Sequence, residues 1–322
     1  MKAVRIHAPG GPEALRYEDV PRPEAKAGEA VVKVEAAGLN YIDVYHRTGA
    51  YKGAFPLTLG VEGAGTVAAV GPGVAAVRPG DRVASVAMAG SYADYAAVPA
   101  EKLVPLPEGV TFAQGAAAMV QGMTAQYLAC STYPLKSGDT CLIHAGAGGV
   151  GQLLCQVAKI RGARVLATAG GPAKTKIARQ AGADEVIDYE AQDFEAEVKR
   201  MTGGKGVQVV YDSVGKTTFE KGLDCLARRG MMVLFGQSSG AVGPLDPQIL
   251  NQKGSIYLTR PSIFHYVAAR EELLERSSQV FGWIREGKLK LTIFREMPLA
   301  DAADAHRMLE ARQTAGKVLL IP

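Results

Sequence analysis

The sequence predicts an α/β protein with two domains: a β-rich domain, and a domain built on a doubly wound, six-stranded parallel sheet. Three observations lead to this prediction. The chain has 322 residues, more than the ~100–200 of one ordinary domain. Residues 1–110 hold short alternating segments broken by Gly and Pro. From Thr140 onward, short apolar segments alternate with helical patterns, which indicates a parallel sheet covered by helices on both faces.

The composition is that of a globular protein with a large core, 48% hydrophobic and 21% charged. The 36 Lys and Arg residues against 32 Asp and Glu give a net charge of +4, which gives no reason to expect DNA or an anionic membrane as a partner. No apolar run approaches the ~20 residues of a membrane span. The first seven residues alternate like a strand and lack the apolar block of a signal peptide. We therefore expect a cytoplasmic protein.

The β-rich region contains three clearly alternating segments, Ala30–Ala36, Gly65–Val70 and Asp81–Val86. They predict a barrel-like domain. Thr111 and Gln114 then fit a capping box, which predicts an alanine-rich helix that extends to about Leu128.

The second region predicts six parallel strands with helices between them, including helices over Val150–Arg161 and Phe219–Ala227. After Pro261 the sequence predicts helices over His265–Glu286 and Ala300–Arg312 and a last strand over Lys317–Ile321. Because the six-strand unit is complete at Thr259, we expect this tail to return to the first domain, so that residues 1–124 and 262–322 form one domain and 125–261 the other. The six predicted strands are Thr140–Ala145, Arg164–Ala169, Glu185–Asp188, Val207–Asp212, Met231–Phe235 and Ser255–Thr259.

The strongest motif is G-x-G-x-x-G over Gly146–Gly151, which follows a predicted strand and opens a predicted helix. In this context the motif predicts a dinucleotide site. Gly146 allows the tight turn, Gly148 lets the backbone approach the pyrophosphate, and Gly151 lets helix and strand pack closely. Gly149 and Val150 begin the helix, whose free N–H groups would face the phosphates.

The dinucleotide is predicted to be NADP(H). An NAD site usually carries a carboxylate about 20 residues after the fingerprint, which binds the ribose 2′-hydroxyl. Here no Asp or Glu occurs between Asp139 and Asp184. Lys174 lies just past the second strand and is the expected contact of the 2′-phosphate. The alternative interpretation is that Lys174, Lys176 and Arg179 form a solvated helix face.

Several segments together resemble the zinc-independent quinone oxidoreductases, the group that includes zeta-crystallin, within the medium-chain dehydrogenase/reductase superfamily. The resemblance covers the whole chain and implies a GroES-like catalytic domain with an inserted Rossmann domain. The segments that carry it are Gly38–Asp43, Leu59–Gly65, His144–Gly151, Tyr211–Gly215, Phe235–Gly240, Asn251–Ser255 and Thr259–Ser262.

No metal site is expected. Zinc alcohol dehydrogenases would have a Cys near position 38 and Gly-His-Glu near position 60, whereas this chain has Gly38 and Gly60-Val61-Glu62. Four cysteines without a C-x-x-C pair and five scattered histidines supply no other ligand set. Without zinc there is no Lewis acid to polarise an alcohol, so ordinary alcohol dehydrogenation is disfavoured.

Quinone reduction fits the residues that remain, because a quinone can accept hydride from NADPH without a metal. The resemblance places Asn40, Tyr45 and Tyr51 at the active-site cleft. Their amide and hydroxyl groups could donate to the developing phenolate, and the rings could stack on a flat quinone. Tyr41 lies one helical turn before Tyr45, and we expect it to be a core residue.

The resemblance also implies further cofactor contacts. Tyr189 would lie beside the adenine and Thr124 at the nicotinamide end, and Ser213 and Phe235 would lie along the cleft. Arg312 would approach the 2′-phosphate, although a cation near a helix C-terminus is an almost equally good interpretation.

Two other functions stay open at this point. NADPH-dependent reduction of an activated C=C bond in an enal or enone needs the same cofactor and a different pocket. An RNA-binding or structural role is suggested by relatives of zeta-crystallin, but the low charge argues against a dedicated nucleic-acid surface. By resemblance we expect a small-molecule quinone as the partner, and a homodimer or homotetramer joined through Rossmann edge strands.

Overall fold

The computed structural model describes residues 1–322 and divides them into two units. Unit 1 comprises Met1–Met123, Val267–Gly287 and Leu291–Pro322, and unit 2 comprises Thr124–Tyr266 with Lys288–Lys290. The C-terminal tail thus returns largely to the first unit.

The part of the chain before Met123 is dominated by strands, as the alternating segments predict. Between the strands lie single helical turns over Pro12–Ala14 and Ala100–Lys102. The regular elements are β1 (Lys2–Ile6), β2 (Arg16–Asp19), β3 (Glu29–Leu39), α1 (Tyr41–Arg47), β4 (Leu57–Thr58), β5 (Gly63–Val70), β6 (Arg82–Ser85), β7 (Tyr95–Pro99), β8 (Val104–Pro105) and α2 (Phe112–Ala117).

The predicted capping box opens α2. The Gln114 N–H donates to Thr111 Oγ1 over 3.1 Å, and the Thr111 N–H donates to Gln114 Oε1 over 2.9 Å. The helical path then runs on as a π-helical turn, an α-helical turn and a second π-helical turn that ends at Thr132 rather than Leu128.

The middle of the chain alternates strands with helices. Most strands begin and end within about two residues of the predicted positions, but β13 begins at Leu226 rather than at the predicted Met231. The elements are α3 (Met123–Tyr127), β9 (Thr140–Ile143), α4 (Gly149–Ile160), β10 (Arg164–Ala169), α5 (Gly171–Gln180), β11 (Glu185–Asp188), α6 (Phe194–Met201), β12 (Val207–Asp212), α7 (Phe219–Asp224), β13 (Leu226–Leu234), α8 (Gln248–Gln252), β14 (Tyr257–Thr259) and α9 (Ile263–Tyr266).

The final segment adds α10 (Arg270–Arg285), β15 (Ile293–Pro298), α11 (Ala302–Glu310) and β16 (Lys317–Ile321). No helix in the structure has both the length and the apolar character needed to cross a membrane.

The middle strands form one six-stranded sheet in the order β11-β10-β9-β12-β13-β14, with every pair parallel. The order reverses at β9, so the loop after β9 lies at the switch point where open α/β sheets bind ligands. Leu142, Val210 and Met232 are fully buried within the core of this unit. The predicted doubly wound sheet is confirmed.

Unit 1 contains a seven-stranded sheet, in the order β15-β16-β3-β5-β6-β8 with β7 paired to β3, and a three-stranded sheet in the order β2-β1-β4. The C-terminal strand β16 pairs antiparallel with β3, with Leu319 opposite Gly38. This pairing brings the end of the chain against the segment that leads into Asn40.

Two predicted helices differ from the structure. The helix from Phe219 ends at Asp224 because Leu226 already pairs with Val207 as a strand. The helix over His265–Glu286 is interrupted before Arg270. There the Ala268 carbonyl accepts from Nζ of Lys102 over 2.6 Å, and Ala269 is extended at φ −77 and ψ 140.

Candidate active site and nucleotide-binding loop

The G-x-G-x-x-G loop connects β9 to α4, as its sequence context predicts. A Cβ on Gly151 would overlap the carbonyl oxygen of Ala145, and a Cβ on Gly146 would lie 2.8 Å from the Ala167 Cβ. These two glycines therefore permit close packing of the loop on helix and sheet. A Cβ on Gly148 would lie 3.1 Å from the Ala145 oxygen, a milder contact. Gly148 precedes Gly149 and Val150 at the start of α4, where backbone N–H groups can bind an anion.

The loop after β10 holds the predicted phosphate contact. Lys174 lies in the first turn of α5, half-buried. The next strand brings two carboxylates to the same place, although no Asp or Glu occurs between Asp139 and Asp184. Asp188 Oδ1 accepts from the N–H groups of Gly171 over 2.9 Å and Glu190 over 3.1 Å.

Gly170 has an open face onto which two side chains converge. A Cβ at this position would lie 2.6 Å both from Oε1 of Glu190 and from the hydroxyl of Tyr189. Tyr189 is 41% exposed at the carboxyl end of β11. Lys174, Tyr189 and the Glu190 carboxylate therefore share the region around the β10–α5 loop.

The ends of β12 and β13 lie side by side. The Phe235 N–H donates to the Asp212 carbonyl over 2.8 Å, and a Cβ on Gly236 would lie 2.5 Å from the Ser213 carbonyl oxygen. The structure thus brings Ser213 and Phe235 together at the carboxyl ends of neighbouring strands. Asp212, absent from the predicted site, is fully buried and organises this loop. Its carboxylate accepts from the Val214 and Gly215 N–H groups and from Thr218 Oγ1, over 2.7, 3.0 and 2.8 Å.

Thr124 and Arg312 lie outside these loops. Thr124 is buried at the start of unit 2, where its side chain hydrogen-bonds Tyr127. Arg312 is exposed in unit 1, two residues after α11, with φ at +58°. Their roles in cofactor binding stay predictions.

The predicted substrate residues lie on and beside helix α1 in unit 1: Asn40 precedes it, Tyr45 is within it and Tyr51 follows it. The Tyr45 and Tyr51 rings lie 5.2 Å apart between centroids, and the Tyr51 N–H donates to the Tyr45 carbonyl over 3.0 Å. Tyr41 is 6.2 Å from Tyr45, and its hydroxyl donates to the Leu309 carbonyl over 3.3 Å. That bond ties Tyr41 to the end of α11, but its side chain is only half-buried and is not part of the core as expected.

Asn40 stands at the N-terminus of α1 and is buried, with 7% of its surface exposed. Its Nδ2 donates to Oε1 of Glu62 over 2.6 Å, and its Oδ1 accepts from Nζ of Lys317 over 3.0 Å. Gln121 Nε2 approaches the same Oδ1 at 3.4 Å. Glu62, Gln121 and Lys317 were not predicted as site residues. Lys317 is 277 positions away from Asn40, so only the β16–β3 pairing reveals it.

Asp43, in the first turn of α1, is completely buried. Its Oδ2 accepts from the Asn40 N–H over 2.8 Å, while Oδ1 has no hydrogen-bond partner. Burial, the largest cause, raises the pKa of Asp43 to about 7. The nearby Glu62 carboxylate also raises this pKa, and the Lys317 ammonium opposes the rise. A group that exchanges a proton near neutrality thus lies directly behind Asn40.

Two family models match the chain, one for each kind of domain. Residues 26–108 match the alcohol dehydrogenase GroES-like domain, and residues 149–278 match the zinc-binding dehydrogenase model. Together with the six-stranded parallel sheet and its glycine loop, these matches define the two-domain architecture of the medium-chain dehydrogenases.

Full-length relatives narrow the assignment. The chain is 45% identical to a quinone oxidoreductase of Pseudomonas aeruginosa, over 100% of this chain and 99% of that one. It is 39% identical to a 2-haloacrylate reductase of a Burkholderia species, over 100% and 99%. The crystal structure of Escherichia coli quinone oxidoreductase complexed with NADPH superimposes with a TM-score of 0.98, at 44% identity and 100% coverage of both chains. The chain belongs to the quinone oxidoreductase family of the medium-chain dehydrogenase/reductase superfamily.

One of the two matching family models describes a zinc-binding dehydrogenase. The residues around Gly38 in this chain do not fit a zinc ion. Position 38 is glycine, and a Cβ there would overlap Oε1 of Glu62 and lie 2.6 Å from Cε of Lys317. The space in which a ligand side chain at this position would begin is already filled by a carboxylate and a lysine. The structure contains no group of three His, Cys, Asp or Glu residues able to hold a metal ion.

Proposed function

We propose that this chain is an NADPH-dependent quinone oxidoreductase that transfers reducing equivalents from NADPH to a small quinone without a metal. The observation that carries the proposal is the similarity to a quinone oxidoreductase at 45% identity, over 100% of this chain and 99% of the relative. Among the solved structures, the Escherichia coli relative was obtained with NADPH bound.

The cofactor is proposed to bind along the carboxyl ends of the parallel strands. The N–H groups at the start of α4 would hold the pyrophosphate, with Gly148 leaving room for it. Lys174 would pair with the 2′-phosphate and Tyr189 would cover the adenine. Thr124, Ser213 and Phe235 would align the rest of the molecule, and Arg312 would add a second cation. When bound, NADPH supplies the hydride.

Asn40, Tyr45 and Tyr51 are the proposed substrate residues. Hydride arrival makes the quinone oxygen more negative, so an N–H or O–H donor aimed at it stabilises the transition state more than the ground state. Neither tyrosine must act as an acid, because the reduced oxygen can take its proton from water after release. The Tyr45 and Tyr51 rings, 5.2 Å apart, offer apolar surface to a flat substrate.

Reduction of an activated C=C bond is the second candidate. It is supported by the 39% identity to the 2-haloacrylate reductase over the full chain. The same donors would then meet a carbonyl or carboxylate oxygen conjugated to the double bond. The oxygen again gains negative charge as hydride adds to carbon, so the same residues serve both candidates.

An NADPH-oxidation assay with quinones, enones, 2-haloacrylate and aldehydes in parallel tests the proposal. We expect turnover with quinones that survives exhaustive chelation, and no stoichiometric zinc by elemental analysis. Turnover with enones or 2-haloacrylate and none with any quinone would establish the second candidate instead. Loss of activity on chelation, restored by zinc, would overturn the metal-free proposal.

We also propose a homodimer or homotetramer joined through the edge strand β14. Tyr257 and Leu258 on this strand are 57% and 36% exposed, unusual for large apolar side chains on a sheet edge. Light scattering measures the mass directly. A Tyr257→Lys variant that keeps the oligomeric mass of the wild type would place the interface elsewhere.

A further inference from the structure

A buried ion pair lies behind Asn40, between strands that are far apart in the sequence. Glu62, just before β5, and Lys317, the first residue of β16, are 0% and 2% exposed and in direct contact. The pair fills the space beside Gly38 where any larger residue would place its Cβ.

The pair determines which way the Asn40 amide faces. A lysine ammonium can only donate, so the Asn40 atom that receives it over 3.0 Å must be the oxygen. A carboxylate can only accept, so the atom 2.6 Å from Glu62 must be the nitrogen. The amide is therefore held by two charged groups and cannot flip without breaking both bonds.

One N–H of the Asn40 amide has no close hydrogen-bond acceptor within the protein. The Nδ2 group carries two hydrogens, of which one serves Glu62. Its other neighbour within the protein is the Gly38 carbonyl at 3.4 Å, longer than an ordinary N–H···O bond. The ammonium on Oδ1 draws electron density from the amide and strengthens this second N–H as a donor, whereas the Glu62 carboxylate on the first N–H acts in the opposite sense.

Stability alone does not account for a buried pair of this kind. Removing a carboxylate and an ammonium from water costs several kcal/mol each, and packed apolar residues of similar size are often at least as stabilising. Glu62 also accepts a backbone hydrogen bond, because its Oε2 receives the Val120 N–H over 2.5 Å. Lys317 likewise donates to the Leu39 carbonyl over 3.2 Å. The two charges thus also hold the backbone at Val120 and at Leu39, the residue before Asn40.

We propose that Glu62 and Lys317 are positioning residues for the reaction. They orient and polarise the Asn40 amide so that its second N–H points to the oxygen of the substrate that becomes negative. The inference rests on the proposed function, because it needs a substrate oxygen at Asn40.

The test is the double variant Glu62→Gln/Lys317→Met, which removes both charges at nearly constant volume and leaves no unpaired ion. We expect kcat to fall about 10- to 100-fold, somewhat less than the loss of an oxyanion donor itself. The quinone KM, the NADPH dissociation constant and the melting temperature should change little. In an Asn40→Ala background the same pair of substitutions should have almost no further effect on kcat, because residues that act through one another are not additive.

A second variant removes only the Glu62 charge. Glu62→Gln keeps the shape of the side chain but can both donate and accept, so it loosens the hold on Nδ2 of Asn40 while Lys317 still donates to Oδ1. Because it leaves the Lys317 ammonium without its carboxylate, its melting temperature is measured beside kcat. We expect it to show the same loss of kcat in smaller measure. The matched control is Arg5→Met/Glu18→Gln, which removes a half-buried ion pair that joins β1 to β2 in the same unit, and it should leave kcat unchanged.

The outcomes separate the two proposals. The assay uses the acceptor that the wild type reduces best. A wild type that reduces no acceptor overturns the proposed function itself. An active wild type whose Glu62 and Lys317 variants fold and keep full kcat overturns the positioning role. A fall in kcat matched by equal losses in NADPH affinity and melting temperature would assign the pair to structure alone and overturn it too.

Discussion

The hydroxyl of Tyr92 donates to Oδ2 of Asp43 over 3.2 Å, and both residues are wholly buried. On its other side the same hydroxyl lies 3.4 Å from Nε2 of His306. Arg47 approaches Nδ1 of His306 at 3.3 Å and can only donate, so Nδ1 is the acceptor and Nε2 carries the hydrogen. Donation therefore runs in one direction, from Arg47 through His306 and Tyr92 to Asp43.

Asp43 and His306, which this series of hydrogen bonds connects, both have pKa values shifted toward their neutral forms. Burial, with a smaller contribution from Arg47, lowers the pKa of His306 to about 3 from 6.5. Burial raises the pKa of Asp43 to about 7 from 3.8. Asp43 therefore contributes stability at low pH that is lost as pH rises from about 4 to 7, whereas His306 costs stability as pH falls from 6.5 toward 3. The two slopes oppose each other over most of this range.

The first prediction is that single substitutions will separate these slopes. In Asp43→Asn the His306 slope is no longer opposed by Asp43, so the free energy of unfolding should rise with pH by up to about 1.4 kcal/mol per pH unit relative to wild type. His306→Gln should show the opposite, a fall with rising pH. Urea unfolding at several pH values between 4 and 6.5 measures both. Curves parallel to the wild type would show that neither group is shifted.

Gly38→Ala should be severely destabilising. The added methyl would overlap Glu62 and crowd Lys317, both of which are enclosed and cannot move into solvent. Gly282→Ala in α10 is the matched control, because nothing lies within 4 Å of its Cβ position. That change should stabilise by up to about 1 kcal/mol through helix propensity. Thermal melts compare the two; equal melting temperatures would mean that the Glu62–Lys317 pair yields easily.

The glycines of the nucleotide loop should separate into two classes. Gly151→Ala forces a methyl onto the Ala145 carbonyl and should lower the melting temperature strongly. Gly148→Ala meets the same oxygen only at 3.1 Å, so it should fold and lose NADPH affinity instead. Melting curves and NADPH titration of both variants make the comparison. Unaltered NADPH binding in Gly148→Ala would show that the pyrophosphate does not bind at this loop.

Lys174→Ala should weaken NADPH and leave NADH nearly unchanged. One charge-assisted hydrogen bond to the 2′-phosphate corresponds to roughly 1.5–3 kcal/mol, or about 10- to 150-fold in affinity. Lys176→Ala, in the same helix and exposed, is the control and should change neither affinity. Equal losses of NADPH and NADH in Lys174→Ala would indicate a structural role for this lysine.

Tyr51→Phe should lower the quinone turnover moderately without abolishing it, while the NADPH dissociation constant stays the same. The Tyr51 hydroxyl is expected to stabilise the negative charge that develops on the substrate oxygen. The phenylalanine ring at position 51 would keep the contact with the Tyr45 ring. Steady-state kinetics with an NADPH titration and a melting curve distinguish this from damage to the loop. A folded variant with unchanged turnover would mean that the substrate does not meet this hydroxyl.

Local patterns in the sequence were sufficient for the architecture of unit 2. Strands β9, β10, β11 and β12 are short apolar runs, and each is followed within a few residues by a turn and a helix. The hydrophobic periodicity and the turn residues are therefore enough to predict a parallel sheet. The glycine loop is equally local, because its three functions depend on the strand before it and the helix after it. The capping box of Thr111 and Gln114 is formed as predicted for the same reason.

The surroundings of the candidate site depend on contacts that no local pattern carries. The sequence by itself determined that position 38 is glycine, that position 61 is not histidine and that Asn40 precedes a helix with three nearby tyrosines. Only the tertiary structure decided that Lys317 would lie against Asn40, since this depends on the β16–β3 pairing across the whole chain. It also decided that Asp188 and Glu190 would approach the β10–α5 loop, because they follow a different strand, β11, which pairs with β10. The physical reason is that a buried charged group is paired only when the chain packs. The sequence specifies which charged groups are present, and the fold determines which of them are buried in contact with one another.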